Sequence, residues 1–186
     1  NIRGMINFRK ISEDDLPLIL RWRTDPEVTH YMSTDIEFDL EKQLLWYNQV
    51  VRACSPAEHW IISHDNIPIG LLNIEKYDSI LQQTSWGFYI GELEFRIMGG
   101  LIPAYFYNYM FFNRNTSLRK ITGHLLSSND KMRAIHRFYG VEEVEVLKNH
   151  VCKFGEMFDI ILVELTRENW VSKKESFYHY QAVFEE

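Results

Sequence analysis

The chain has 186 residues, 46% of them hydrophobic, which suits one domain with a sizeable core. Its formal net charge of -6, with no basic stripe, argues against nucleic acid as a partner, because that binding rests on neutralising phosphates. Two cysteines, Cys54 and Cys152, and seven scattered histidines make neither a disulfide framework nor a metal-ligand spacing, and no apolar run approaches the ~18 residues of a membrane span, so a cytoplasmic protein without metal or membrane partner is expected.

Residues 6–11 alternate like a strand, and Ser12 followed by Glu13, Asp14 and Asp15 marks a helix start. That helix is expected to reach about Thr24 with Leu16, Ile19 and Leu20 as its apolar stripe; the next position on the stripe is Arg23, a cation where a hydrophobe belongs. Asp39 caps a second helix striped by Leu40, Leu44, Tyr47 and Val51. Residues 59–64 and 69–75, around a turn at Asp65-Asn66, read as a hairpin, and 84–90 as a third strand. Two adjacent glycines, Gly99 and Gly100, then open an aromatic-rich helix expected to reach Asn113. Such a pair serves either a sharp turn or the close approach of a ligand to the backbone. Residues 119–127 read as a strand, the next segment as a helix led by Asn129 and ended by Gly140, and 142–149 with 157–165 as a closing strand pair. The order β-α-α-β-β-β-α-β-α-β-β, without repeat or linker, indicates an α+β fold in a single domain over residues 1–186.

That order, with a glycine turn after the central strand and an Asn-led helix after the next, resembles the GCN5-related N-acetyltransferase (GNAT) family over nearly the whole chain. Arg96-Ile97-Met98-Gly99-Gly100 is similar to the family's Arg/Gln-x-x-Gly-x-Gly/Ala acetyl-CoA turn, with Leu101 where the second small residue is usual. Asn129 to Val141 is similar to the family's Asn-led segment, with Ala134, Ile135, Gly140 and Val141 in register and His136 where a catalytic Tyr is usual. Gly155, Asp159 and Trp170 match the spacing of the branch containing ribosomal-protein and small-amine acetyltransferases. At the front, LRWRTDPEVTHYM (20–32), Trp46 and the runs IGLLNI and WGFYIG resemble the PseH type, which acetylates the 4-amino group of a UDP-linked 4-amino-4,6-dideoxy sugar on the way to pseudaminic acid; Arg23-Thr24 stands where many of that type have Arg-Asn.

The resemblance implies a mixed, largely antiparallel twisted sheet flanked by helices, with acetyl-CoA as co-substrate and no metal. Arg96, Ile97, Met98, Gly99, Gly100, Leu101 and Asn129 are expected to hold the cofactor, since small residues at a helix start expose unsatisfied N–H groups to phosphate. A backbone N–H of Ile90 or Gly91 would polarise the thioester carbonyl. For the proton of the departing thiolate, His136 and Tyr139 one turn later both stand open, with water relayed to Glu94 as a further route. On the acceptor side Arg21, Arg23 and His30 supply cations, while Trp22, Trp46 and Tyr89 supply flat surfaces on which a base could stack. The expected partner is a nucleotide sugar or another small amine, with a homodimer left open. Acetylation of a protein N-terminus and a non-catalytic acyl-CoA-binding module are the alternatives.

Overall fold

The computed structural model describes residues 4–52, 55–114 and 117–186; Cys54, which is expected in neither a disulfide framework nor a metal site, lies outside the described residues. Eight strands form one sheet: β1 (Ile6–Lys10), β2 (Glu58–His64), β3 (Ile67–Ile74), β4 (Gln83–Ile90), β5 (Lys120–Leu126), β6 (Glu142–Lys153), β7 (Glu156–Thr166) and β8 (Val183–Phe184). Their order is β6-β7-β5-β4-β3-β2-β1-β8, and only the β4–β5 and β1–β8 pairs are parallel. The expected hairpin is β2–β3, turned by Asp65 and Asn66 with φ of 48° and 66°, a conformation these two residue types tolerate.

Helices cover both faces. The α1 helix (Leu16–Arg23), the short α2 (Pro26–Thr29) and α3 (Leu40–Trp46), which continues as a π-helical stretch to Arg52, lie on one side. There Leu16, Ile19, Trp22 and Tyr47 pack on Ile61 and Leu71. On the other side α4 (Ile102–Asn108) and α5 (Asp130–Phe138) enclose the larger core, in which Trp86 stacks on Phe106 at 4.2 Å between ring centroids. Strand alternation assigns the faces: Leu71 and Tyr89 meet α1 and α3, while Leu72, Trp86 and Phe88 meet the α4 side.

Two expectations change. No helix opens at Gly99. Residues Leu93–Gly100 form a 3-10 segment and α4 starts at Ile102, continuing as a π-helical stretch to Arg114. The last twenty residues, for which no element is expected, form α6 (Arg167–Ser172), α7 (Lys174–Phe177) and β8. These pieces are too short to carry a readable period, and packing holds them: the Trp170 ring stacks on Phe177 at 5.4 Å and its Nε1 donates to Asn108 Oδ1 at 3.1 Å. No helix among the described residues is long and apolar enough to cross a membrane.

Candidate active site

The parallel β4–β5 register covers only Gln83↔Lys120, Thr84↔Ile121 and Ser85↔Thr122, after which the strands part. On its other edge β4 stays paired with β3 to the end, and bonds such as Glu75 N–H to Ser85 O (2.8 Å) and Gly91 N–H to Ile69 O (2.7 Å) show that its odd-numbered residues face β3. By alternation Phe88 and Ile90 turn their backbone groups toward the gap. The backbone of Ile90 therefore borders the gap. Gly91 is not placed as expected: its N–H is spent on Ile69, and the residue is glycine because an added Cβ would stand 2.2 Å from Cγ of Trp22. Phe88 takes its place as the second strand amide.

A cavity of about 380 Å³ fills the gap. Arg23, Trp46 and Tyr89 line it from the α1–α3 side, and Asn129, Met132 and His136 from α5. Among the described residues, six buried side-chain polar atoms lack a hydrogen-bond partner, and four of them belong to residues lining this one cavity: Arg23 Nε, His59 Nδ1, Tyr89 Oη and His136 Nδ1. Leaving a buried polar group unpaired costs about 1–3 kcal/mol, so four around one cavity mark a place built for a polar ligand. Among the described residues no Asp or Glu lines it. Burial pushes the His59 and His136 imidazoles down to about 4, Lys10 adding to the effect at His59 and Glu143 opposing it at His136. Burial also raises the Tyr89 hydroxyl above its ordinary range, with Arg23 opposing. An adjoining cavity of about 350 Å³ shares Arg23, Trp46 and Tyr89 and adds Glu37, Asp39 and Lys42.

Arg23 is set by its place on the α1 stripe: half-buried, it donates through Nη2 to the carbonyl and hydroxyl of Thr34, both at 3.1 Å. Asn129 caps α5 by accepting from Met132 N–H at 3.2 Å. Other expected residues stand elsewhere. Trp22 is buried in the α1 core with Nε1 donating 2.9 Å to Glu92, and Arg21 forms an exposed ion pair with the same carboxylate. His30 is exposed and stacks on Phe154, and Glu94 is exposed as well. Tyr139 does not line the cavity; its hydroxyl donates 2.5 Å to the Gly100 carbonyl, and its ring packs among Trp170 and Phe177. As an imidazolium acid His136 is corrected too, because burial keeps the ring neutral near pH 7.

Neither Gly99 nor Gly100 has positive φ, so no sharp turn demands them. A Cβ at Gly100 would meet nothing within 4 Å, which leaves open space for a close approach. Free amides are fewer than the resemblance implies: Leu101 and Ala104 N–H bond to Met98 O and Leu101 O, and Pro103 has none. Arg96 pairs with Glu27 at 3.3 Å, Ile97 is exposed and Met98 is buried. Sequence reasoning missed His59, Asn73, Phe88 and His124; only strand register brings them to the site, and register is not written in any single strand. Among the described residues no group of three His, Cys, Asp or Glu could hold a metal ion.

Known structures share this fold. The spermidine N-acetyltransferase of Vibrio cholerae, solved with CoA and spermine, superposes with a TM-score of 0.80 over 90% of this chain and 98% of that one at 15% identity. A chimera of the Vibrio cholerae enzyme and hSSAT gives 0.76 over 90% and 99% at 18% identity. At such identities the likeness concerns the fold. No curated protein matches the chain by sequence. The family model of the Acetyltransferase (GNAT) domain matches residues 6–142, spanning the parted strands, the glycine turn and the Asn129 helix. The chain belongs to the GNAT acetyltransferase family and is an acetyl-CoA-dependent N-acetyltransferase.

Proposed function

We propose that the enzyme acetylates the 4-amino group of a UDP-linked 4-amino-4,6-dideoxy sugar by direct attack in a ternary complex. The observation that carries this reading is the cavity itself: four lining residues each with a buried polar atom lacking a partner, one guanidinium, aromatic walls and, among the described residues, no lining carboxylate. Arg23 suits a diphosphate and Trp46 suits a flat base, and both continue into the adjoining cavity, where a nucleotide attached to the sugar would extend. The residues present also fit acetyl-CoA: open space above Gly100 for a phosphate, and a strand edge at Phe88 and Ile90 with amides turned to the gap.

Acetyl-CoA supplies a thioester acetyl group. In this reading the Phe88 and Ile90 amides hold the carbonyl oxygen and favour the charge that develops there. The amine forms its bond to the carbonyl carbon as the carbon–sulfur bond breaks, and the proton it loses leaves with solvent. A sugar amine is less basic than a lysine amine, so no strong base is required. His136 donates a neutral hydrogen bond near the departing sulfur. Position and orientation provide much of the acceleration, roughly 7 kcal/mol or more where geometry is good.

A second reading, a polyamine acceptor, draws on Glu37 and Asp39 in the adjoining cavity. Both carboxylates are already engaged, Glu37 with Lys42 at 2.6 Å and Asp39 as the α3 cap. Thiol release from acetyl-CoA tests the choice. Turnover of the UDP-linked 4-amino sugar well above spermidine and above a peptide N-terminus is the expected result; preference for spermidine would select the second reading.

A further inference from the structure

Strand register aligns four residues that the chemistry above leaves unused. His59 opposes Asn73 across β2–β3, Asn73 opposes Gly87 across β3–β4, and Gly87 stands two residues past the last β4–β5 pair, level with His124. Directly opposed residues point to one face of a sheet, here the face of Ile61, Leu71 and Tyr89 under α1 and α3. All four line the cavity, from buried His59 through half-buried Asn73 and Gly87 to exposed His124 at the mouth.

The amide of Asn73 is oriented. Its Nδ2 donates to Glu75 Oε1 at 3.4 Å, and a side chain added at Gly87 would begin 3.3 Å from its Oδ1, so the carbonyl end faces the space above the glycine. Next along the row the His59 ring meets Trp46 edge-on at 5.3 Å, and its Nδ1 has no partner. A bare glycine, an amide oxygen, an unpaired neutral imidazole and an aromatic wall thus share one strip.

We propose that this row is the floor of the acceptor site and reads the hydroxyl groups of a sugar ring lying over Gly87. A pyranose is flat, saturated and edged with hydroxyls. Its apolar C–H face suits Trp46, its hydroxyls can donate to Asn73 Oδ1 and exchange a hydrogen bond with His59, and only glycine beneath leaves height for the ring. A polyamine or peptide terminus brings positive charge and no hydroxyls, and would leave Asn73 and His59 unpaired. The inference rests on the sugar half of the proposed function and is independent of the nucleotide half.

The test uses the whole enzyme with four acceptors: the UDP-linked 4-amino sugar, the same amino sugar without its nucleotide, spermidine and a peptide N-terminus. The row predicts that the ring amines are the preferred pair. His59→Phe and Asn73→Leu, which keep much of the side-chain volume, should each raise KM for the better ring amine about tenfold or more, while the acetyl-CoA Kd by calorimetry stays within about twofold of wild type and reports a folded protein. If the free amino sugar serves as well as the UDP sugar, the nucleotide reading fails and the floor stands. Preference for spermidine or peptide by the wild type, turnover of neither ring amine, or unchanged KM in both variants overturns the floor.

Discussion

A histidine where the family resemblance implies a tyrosine alters what can happen to a proton there. His136 and His59 are both held near pKa 4 by burial, below the 6.5 of an exposed ring. The unfolded chain therefore binds more protons than the folded one between about pH 4 and 6.5, and stability due to these rings is complete above that window and falls as pH drops through it. The flanking charges, Glu143 at His136 and Lys10 with Glu58 at His59, are included in those shifts. Asp15, Glu58 and Asp159 have lowered pKa values, so their contribution is lost only from their ordinary range near 4 downward, which leaves the window to the histidines. We predict a melting temperature that declines from pH 7 to about pH 5 in the wild type and a flatter profile in the His59→Phe/His136→Phe double variant, each pKa unit being worth about 1.4 kcal/mol. A wild-type profile with no decline would contradict it. Tyr139 belongs to a different role. Burial, reinforced by Tyr180 and Tyr105, pushes it up to about 12, and its proton is already given to Gly100 O. Tyr139→Phe should weaken acetyl-CoA binding several-fold through the glycine turn while kcat at saturation stays within about threefold; a large fall in kcat with unchanged Kd would restore it as the acid. The sequence register pointed to both positions, but burial decides their chemistry, and at Tyr139 that burial comes from packing on Trp170 and Phe177.

At the scale of elements, the glycine turn and the strand beside it each test one packing rule. Gly100 has free space around its missing Cβ, so Gly100→Asp should fold normally and lower acetyl-CoA affinity by about tenfold or more, since a carboxylate there repels phosphate. Gly91→Ala should do the opposite: its Cβ would overlap the Trp22 ring, and unfolding free energy should fall by about 1–3 kcal/mol while the acetyl-CoA site, its amide already committed to Ile69, is affected only through fold. Denaturant titration and calorimetry on the two variants separate the cases. Element order was legible because strands β1 to β5 and helices α1, α3 and α5 each bring a period, a cap or a turn pair of their own. Two stretches were not. Residues 93–100 have an apolar pattern that a helix could also use, and a 3-10 segment differs from it only in bonding; α6, α7 and β8 exist because Trp170, Asn108 and Phe184 find partners far along the chain. The proposed acceptor side was legible through Arg23, whose charge breaks an apolar stripe, and illegible at His59 and Asn73, which look like ordinary strand residues until β2, β3 and β4 are laid side by side.

Across the whole molecule, parting β4 from β5 divides the sheet into β6-β7-β5 and β4-β3-β2-β1-β8, and something must fix the two halves at the open end. Lys153, at the end of β6, spans that distance. It is 4% exposed, and its Nζ donates to Thr29 O at 2.7 Å, Met32 O at 2.6 Å and Asp35 Oδ1 at 3.2 Å, using all three of its protons. Beside it Phe154 stacks on His30 at 5.1 Å. The loop so gripped runs from α2 to α3, supplies Tyr31 to Thr34 to the cavity wall, and through Thr34 holds Arg23. One ammonium therefore couples the far half of the sheet to the cavity wall. Lys153→Met keeps the stem and removes one donor from each of three oxygens, of which the Thr29 carbonyl still accepts from Met32 N–H, so stability should fall by about 1–3 kcal/mol. Because the loop carries the proposed acceptor wall and not the glycine turn, acceptor KM should rise about tenfold while acetyl-CoA Kd changes little, and Lys153→Arg should recover part of the loss by keeping a charge and donors. A variant that loses stability yet keeps wild-type KM would show that the grip serves folding alone.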